Sequence, residues 1–150
     1  MTTATIADVN QAFKSGALTS YDLTQLYVSR IAAYDIEGPA LNSIAYLNPN
    51  ALDEAAELDA LRASGTVLGP LHGIPVLIKD SFNVKGLPTS NGVEVLESLI
   101  ATEDAFSVKQ LREAGAIILG KANMSTWAFS YDGISESYGA VINPYATDRT

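Results

Sequence analysis

Two short apolar runs constrain the fold more than any other feature of the chain. Val76-Leu77-Ile78 and Ala116-Ile117-Ile118-Leu119 contain no polar residue and are strand length rather than helix length. The first follows the punctuated turn Gly69-Pro70-Leu71-His72-Gly73-Ile74-Pro75 and ends on a charge, Lys79. The second lies between Gly115 and Gly120 and reads as a parallel-type strand buried on both faces.

Helix patterns surround these strands. Thr5 and Asp8 form a capping pattern, Ile6, Val9 and Phe13 share a face, and Gly16 is placed to end the helix. Thr19, with Asp22 three residues on and Leu18 able to pack on Leu23, opens a second helix through Tyr34, stopped by Gly38-Pro39. Leu41–Leu47 reads as a buried strand. Asn50 is placed to cap a third helix that Gly65 closes, with Asp53 and Glu54 in its first turn. Residues 81–101 read mostly as loop. Thr102-Glu103-Asp104 starts a fourth helix reaching Gly115, and from Gly120 onward the chain reads as a long irregular segment. Helix and strand signals alternate, so the class is α/β.

Composition excludes several functions. Of 150 residues 47% are hydrophobic, which suits one globular domain, and 9 Lys+Arg stand against 17 Asp+Glu. That acidic balance argues against nucleic acid as a partner. Without cysteine there is no thiolate nucleophile, and a single histidine, His72, excludes multi-histidine zinc sites. Met1–Asn10 lacks the basic and apolar parts of a leader, and no apolar run reaches the ~20 residues a bilayer requires. The expectation is a cytoplasmic chain with no membrane partner and no cysteine- or multi-histidine-ligated metal.

Three features invite chemistry. Gly115 to Lys121 fits the opening of a phosphate-binding loop, but Ala122 stands where Ser or Thr is needed, and the intervening residues are apolar and β-prone. The order of elements is also reversed, so nucleotide binding is a weak reading. His72 lies in a turn with no nucleophile elbow nearby, which favours a structural role. Lys79 is more informative. Alternation puts it on the same face as Leu77, and in a central strand its amine would meet an apolar layer. Desolvation there would lower its pKa and give a neutral base. The competing reading is a strand-end lysine reaching solvent and paired with Asp80.

Gly73-Ile74-Pro75-Val76-Leu77-Ile78-Lys79-Asp80 and Val84-Lys85-Gly86-Leu87-Pro88-Thr89-Ser90 resemble the amidase signature family. The likeness continues through Glu103-Asp104-Ala105, through Leu111 to Met124, and through Tyr138-Gly139 and Asn143-Pro144. It implies the N-terminal portion of that family's fold, an incomplete mixed sheet flanked by helices. Within one domain, residues 1–65 would be helical, 69–80 a turn and strand with the lysine, and 102–150 helix, strand and loop. It implies amide hydrolysis by a serine, a second serine with a cis peptide bond, and a lysine, with no cofactor. By position Lys79 matches the lysine, and Ala128 matches a position that contacts substrate. Asn123 would hold loop geometry, while Trp127 and Phe129 either line the site or pack in the core.

The resemblance has one gap. Asn143-Pro144 is followed only by Tyr145-Ala146-Thr147-Asp148-Arg149-Thr150, whereas the family's Gly-Ser-rich stretch with both serines comes next. The expectation is therefore an N-terminal piece of a longer amidase, inactive alone, whose partners are a small-molecule amide and the remainder of the chain. Unmatched strand edges would otherwise drive a homo-oligomer. The alternative is a non-catalytic interaction or folding module of the same ancestry.

Overall fold

The computed structural model describes residues 4–150; Met1–Thr3, the first residues of the stretch read for a leader, lie outside it. Helix α1 (Ile6–Ser15) starts at a reciprocal capping box, Thr5 Oγ1 accepting the Asp8 N–H and the Asp8 carboxylate accepting the Thr5 N–H. Helix α2 (Ser20–Ile31) is capped by Thr19, whose Oγ1 accepts the Asp22 N–H and donates to the Asp22 carboxylate, without the reciprocal backbone bond of α1. Beyond Ile31 the chain continues as a π turn, Ala32–Ile36. This wider turn carries Asp35 to the start of the next strand. Its carboxylate accepts from Ser43 N–H at 2.7 Å, Ser43 Oγ at 2.5 Å and Ile44 N–H at 3.0 Å. Strand β1 (Ile44–Leu47) therefore begins later than the apolar pattern from Leu41, after a bend with left-handed Ala40 and Asn42.

The expected cap of the third helix is displaced. Helix α3 (Ala51–Ala63) receives no side-chain bond from Asn50; Asn48 Oδ1 instead accepts the Asn50 N–H at 3.0 Å. The Asn48 amide also donates to Ile118 O at 2.8 Å, tying the start of α3 to the sheet. Helix α4 (Phe106–Glu113) likewise starts after the acidic signal at 102–104. Asp104 is engaged elsewhere, accepting the Lys85 N–H and pairing with Arg112.

Strand β2 (Pro75–Lys79) runs parallel to β3 (Ile117–Ala122), and β1 runs antiparallel on the other side, in the order β1-β3-β2. The sheet is mixed and helices flank it, as the resemblance implied. The central strand separates two apolar clusters. Ile117 and Leu119 pack on Ala51 and Ala55 of α3 with Val28 and Ile31 of α2. Ile118, with Ile78, packs on Val84, Leu87 and Val108 of α4. Burying a side chain of this size stabilises by roughly 1.5–3 kcal/mol, so β3 carries much of the fold's cohesion. A third cluster of Phe13, Leu23 and Ile74 fastens α1 and α2 to the entry of β2.

The turn entering β2 tolerates no side chain at Gly73. Its φ is +82°, and a Cβ there would lie 2.0 Å from Ser20 Oγ. His72 is buried beside it. Its Nδ1 accepts the Leu68 N–H at 3.1 Å, which leaves Nε2 to donate to Leu58 O at 2.9 Å. Both ring nitrogens are thus occupied by backbone, the structural role expected of it.

Candidate active site

In a parallel pair, both strands deliver their carboxyl ends to one side, and open α/β sheets bind ligands there. Lys79 is the last residue of β2 and lies in register with Ala122, the last residue of β3. The chain leaving Ala122 enters the irregular segment that carries Ala128. Lys79 thus lies at the carboxyl end of one strand, and Ala128 follows the carboxyl end of its parallel neighbour.

Lys79 is not shielded as the sequence suggested. β2 is an edge strand, not a central one, so the face shared by Leu77 and Lys79 is exposed while Ile78 and Asp80 are buried. The expected alternation holds, but the desolvating layer is absent among the described residues. Nor does Lys79 pair with Asp80 or any other carboxylate among them. It borders a shallow groove of about 240 Å3 lined by Leu77, Ile78, Phe82, Ser107, Val108 and Leu111.

Asp80 is committed to a second lysine. Lys121 Nζ lies 3.1 Å from Asp80 Oδ1, with side-chain exposures of 0% and 1%. The ammonium also donates to Pro88 O at 2.8 Å and is 3.3 Å from Thr89 Oγ1. Asp80 Oδ2 accepts from Ser90 Oγ at 2.6 Å and from Gly92 N–H at 3.3 Å. Burial pulls the Lys121 amine below the ordinary lysine value, while the Asp80 charge and hydrogen bond oppose that fall. Burial likewise pushes the neighbouring Tyr138 hydroxyl up. A register shift in the β2–β3 pairing between Val76 and Leu77 sets Lys121 opposite Ile78. The bulge turns Lys121 towards Asp80; unbroken alternation would have turned it to the α2–α3 face with Ile117 and Leu119. The nucleotide reading fails on the same geometry, since Lys121 is enclosed and Gly120 lies against the β1 backbone, where a Cβ would meet Tyr46 O at 2.3 Å.

The same network reaches the Ala128 segment. Gly92 O accepts from Thr126 Oγ1 at 3.1 Å, Ser135 Oγ at 3.3 Å and Glu136 N–H at 3.0 Å. Trp127 N–H donates to Asn91 O at 2.9 Å. These bonds hold Trp127 and Ala128 in consecutive left-handed conformations, φ 56° and 54°, which cost L-residues about 1 kcal/mol or more each. Asn123 supports the segment as expected, donating to Asn42 O at 2.9 Å and accepting the Met124 N–H. Trp127 and Phe129 are exposed rather than packed in the core. The short hairpin β4 (Ile134–Ser135) and β5 (Gly139–Ala140) closes this end, with the Asn42 amide donating to Tyr138 O and Ala140 O.

Sequence reasoning weighed Lys121 only in the phosphate-loop reading, gave Ser90 and Gly92 no part in a polar network, and saw Asp80 only as a partner for Lys79. The signal was present: the alternation that put Lys79 beside Leu77 puts Asp80 on the Ile78 face, away from Lys79. Among the described residues no acidic or histidine cluster is arranged to hold a metal, and no helix is long and apolar enough to cross a membrane.

Residues 22–150 match the amidase family model, and the chain belongs to that family. Over 99% of its length it superposes on the peptide amidase from Stenotrophomonas maltophilia with a TM-score of 0.94 and 42% identity, covering 31% of that chain. An amidase family protein from Bacillus anthracis superposes over 97% with a TM-score of 0.90 and 41% identity, covering 30%. A glutamyl-tRNA(Gln) amidotransferase subunit from Thermobifida fusca is 38% identical over 143 residues, 95% of this chain and 28% of that protein. The chain therefore spans less than a third of the length of these relatives.

Proposed function

We propose that this chain is the lysine-bearing part of an amide hydrolase, with Lys79 as the base and the Ala128 segment lining the substrate side. The observation that carries the reading is Lys79 at the carboxyl end of β2 and the Ala128 segment after the carboxyl end of the adjacent parallel β3, with Lys79 free of any carboxylate partner among the described residues. The two serines are supplied by sequence beyond these 150 residues, in keeping with the share of its relatives that the chain spans. That further sequence also covers the Leu77–Lys79 face and so provides the apolar surroundings the edge strand lacks here.

In this scheme the neutral Lys79 amine takes a proton from the bridging serine, which takes one from the nucleophilic serine as the latter attacks the amide carbon. The proton returns to the leaving amine, an acyl-enzyme remains, and water releases the acid. The likeness to a peptide amidase makes peptide amides the first substrates to try.

The test is steady-state amide hydrolysis by the full-length enzyme and its Lys79→Ala variant. A positioned general base contributes about 10²–10⁴-fold, so kcat/KM is expected to fall by that factor with folding intact. Hydrolysis retained within a few-fold by folded Lys79→Ala would end the assignment.

A further inference from the structure

A buried ion pair seldom repays its desolvation, and apolar residues of equal volume often stabilise as well or better. The Asp80–Lys121 pair, with both side chains almost fully enclosed, is therefore poorly explained as a stability device. Its position suggests another purpose. Asp80 directly follows Lys79, so an unneutralised carboxylate there would favour the protonated amine and oppose base catalysis.

We propose that Lys121 is a positioning residue for Lys79: it neutralises Asp80 and anchors it on the buried face, so that the adjacent lysine is free to work as an uncharged base. This rests on the reading of Lys79 given above. The anchoring is many-sided. Asp80 also accepts from Ser90 Oγ, Ser90 N–H and Gly92 N–H, and its own N–H donates to Ala122 O at 3.1 Å, closing the end of β2 onto β3. Among the described residues, Tyr138 is the titratable group that feels the Asp80 charge, and Glu97 and Tyr46 act on Tyr138 in turn. On the Lys79 side the groove residues carry no charge, and the charged groups of α4 are paired elsewhere: Lys109 with Glu113, and Arg112 with Glu54 and Asp104.

The experiment is the pH dependence of kcat/KM for the full-length enzyme and its Lys121→Met, Lys121→Gln and Asp80→Asn/Lys121→Met variants, with Lys79→Ala as control. Removing Lys121 leaves the Asp80 charge uncompensated. The acid limb is expected to move about one pH unit upward, the scale of one unit charge about 10 Å away at an effective dielectric of about 20. The double variant is expected to return the limb to its original position. Either single variant suffices, and the glutamine keeps a donor for Pro88 O should the methionine not fold. A folded single variant that loses rate with its acid limb unmoved overturns the proposal, since a purely structural role predicts that pattern. If Lys79→Ala remains active, the function assigned to Lys79 fails and this proposal falls with it. If Lys79→Ala is inactive and the limb is unmoved, only the role of Lys121 is lost.

Discussion

At the scale of single residues, the molecule places its charges by what each backbone donor requires. Asp59 on α3 shows this away from the candidate site. Its carboxylate accepts the first N–H groups of α2, Ser20 and Tyr21, both at 2.9 Å, and pairs with Arg62. Burial alone would raise this carboxyl, but the Tyr21 and Ser20 bonds and Arg62 hold it below the ordinary carboxylate value. A carboxyl depressed on folding contributes stability above its unfolded pKa and loses it as pH falls through the folded one. Asp59→Asn is therefore expected to lower stability by about 1 kcal/mol near pH 6. Melting curves of the two proteins should converge as pH drops below about 4. A constant gap from pH 6 to pH 3 would show that charge is not what Asp59 supplies.

At the scale of elements, β3 is the member that everything else covers. Ile117 and Ile118 are both 0% exposed and face opposite layers, so the strand cannot slip by one residue without exchanging its two sets of partners. Ile117→Ala would open a cavity against α3 and is expected to cost about 2–5 kcal/mol, read as a shift in denaturant midpoint without a change in slope. A loss under 1 kcal/mol would mean the α2–α3 layer closes over the gap. The bulge in the β2–β3 pairing matters equally, because it turns Lys121 out of the Ile117 layer. Nothing in the alternation of apolar residues marks that bulge. This is why the strand is legible through Leu119 while its last three residues read as the start of an irregular segment.

At the scale of the whole molecule, the outer edge of β2 and the exposed side of Leu77 and Lys79 stay uncovered among the described residues. β2 presents an unpaired edge, with Leu77 and Phe82 exposed at 43% and 44% beside it. Such edges recruit other strands, so the 150-residue chain on its own is expected to self-associate, visible as a mass above that of a monomer in light scattering. It is also expected to show no amide hydrolysis that Lys79→Ala removes. A monodisperse monomer, or Lys79-dependent turnover by this chain, would contradict these outcomes separately.

The residues alone determined the class, the helix starts at Thr5 and Thr19, the two core strands, and the face on which Lys79 lies. These depend on spacing of 2 or 3.6 residues and on local caps, which act within a few positions of the chain. The surroundings of Lys79 and the partner of Asp80 were decided only by tertiary structure. Whether a strand is central or at an edge depends on which other strands arrive. Which lysine reaches Asp80 depends on a bulge that turns Lys121 towards it from 41 residues away in sequence. Solvation and charge pairing are properties of that assembled neighbourhood, and no local pattern encodes them.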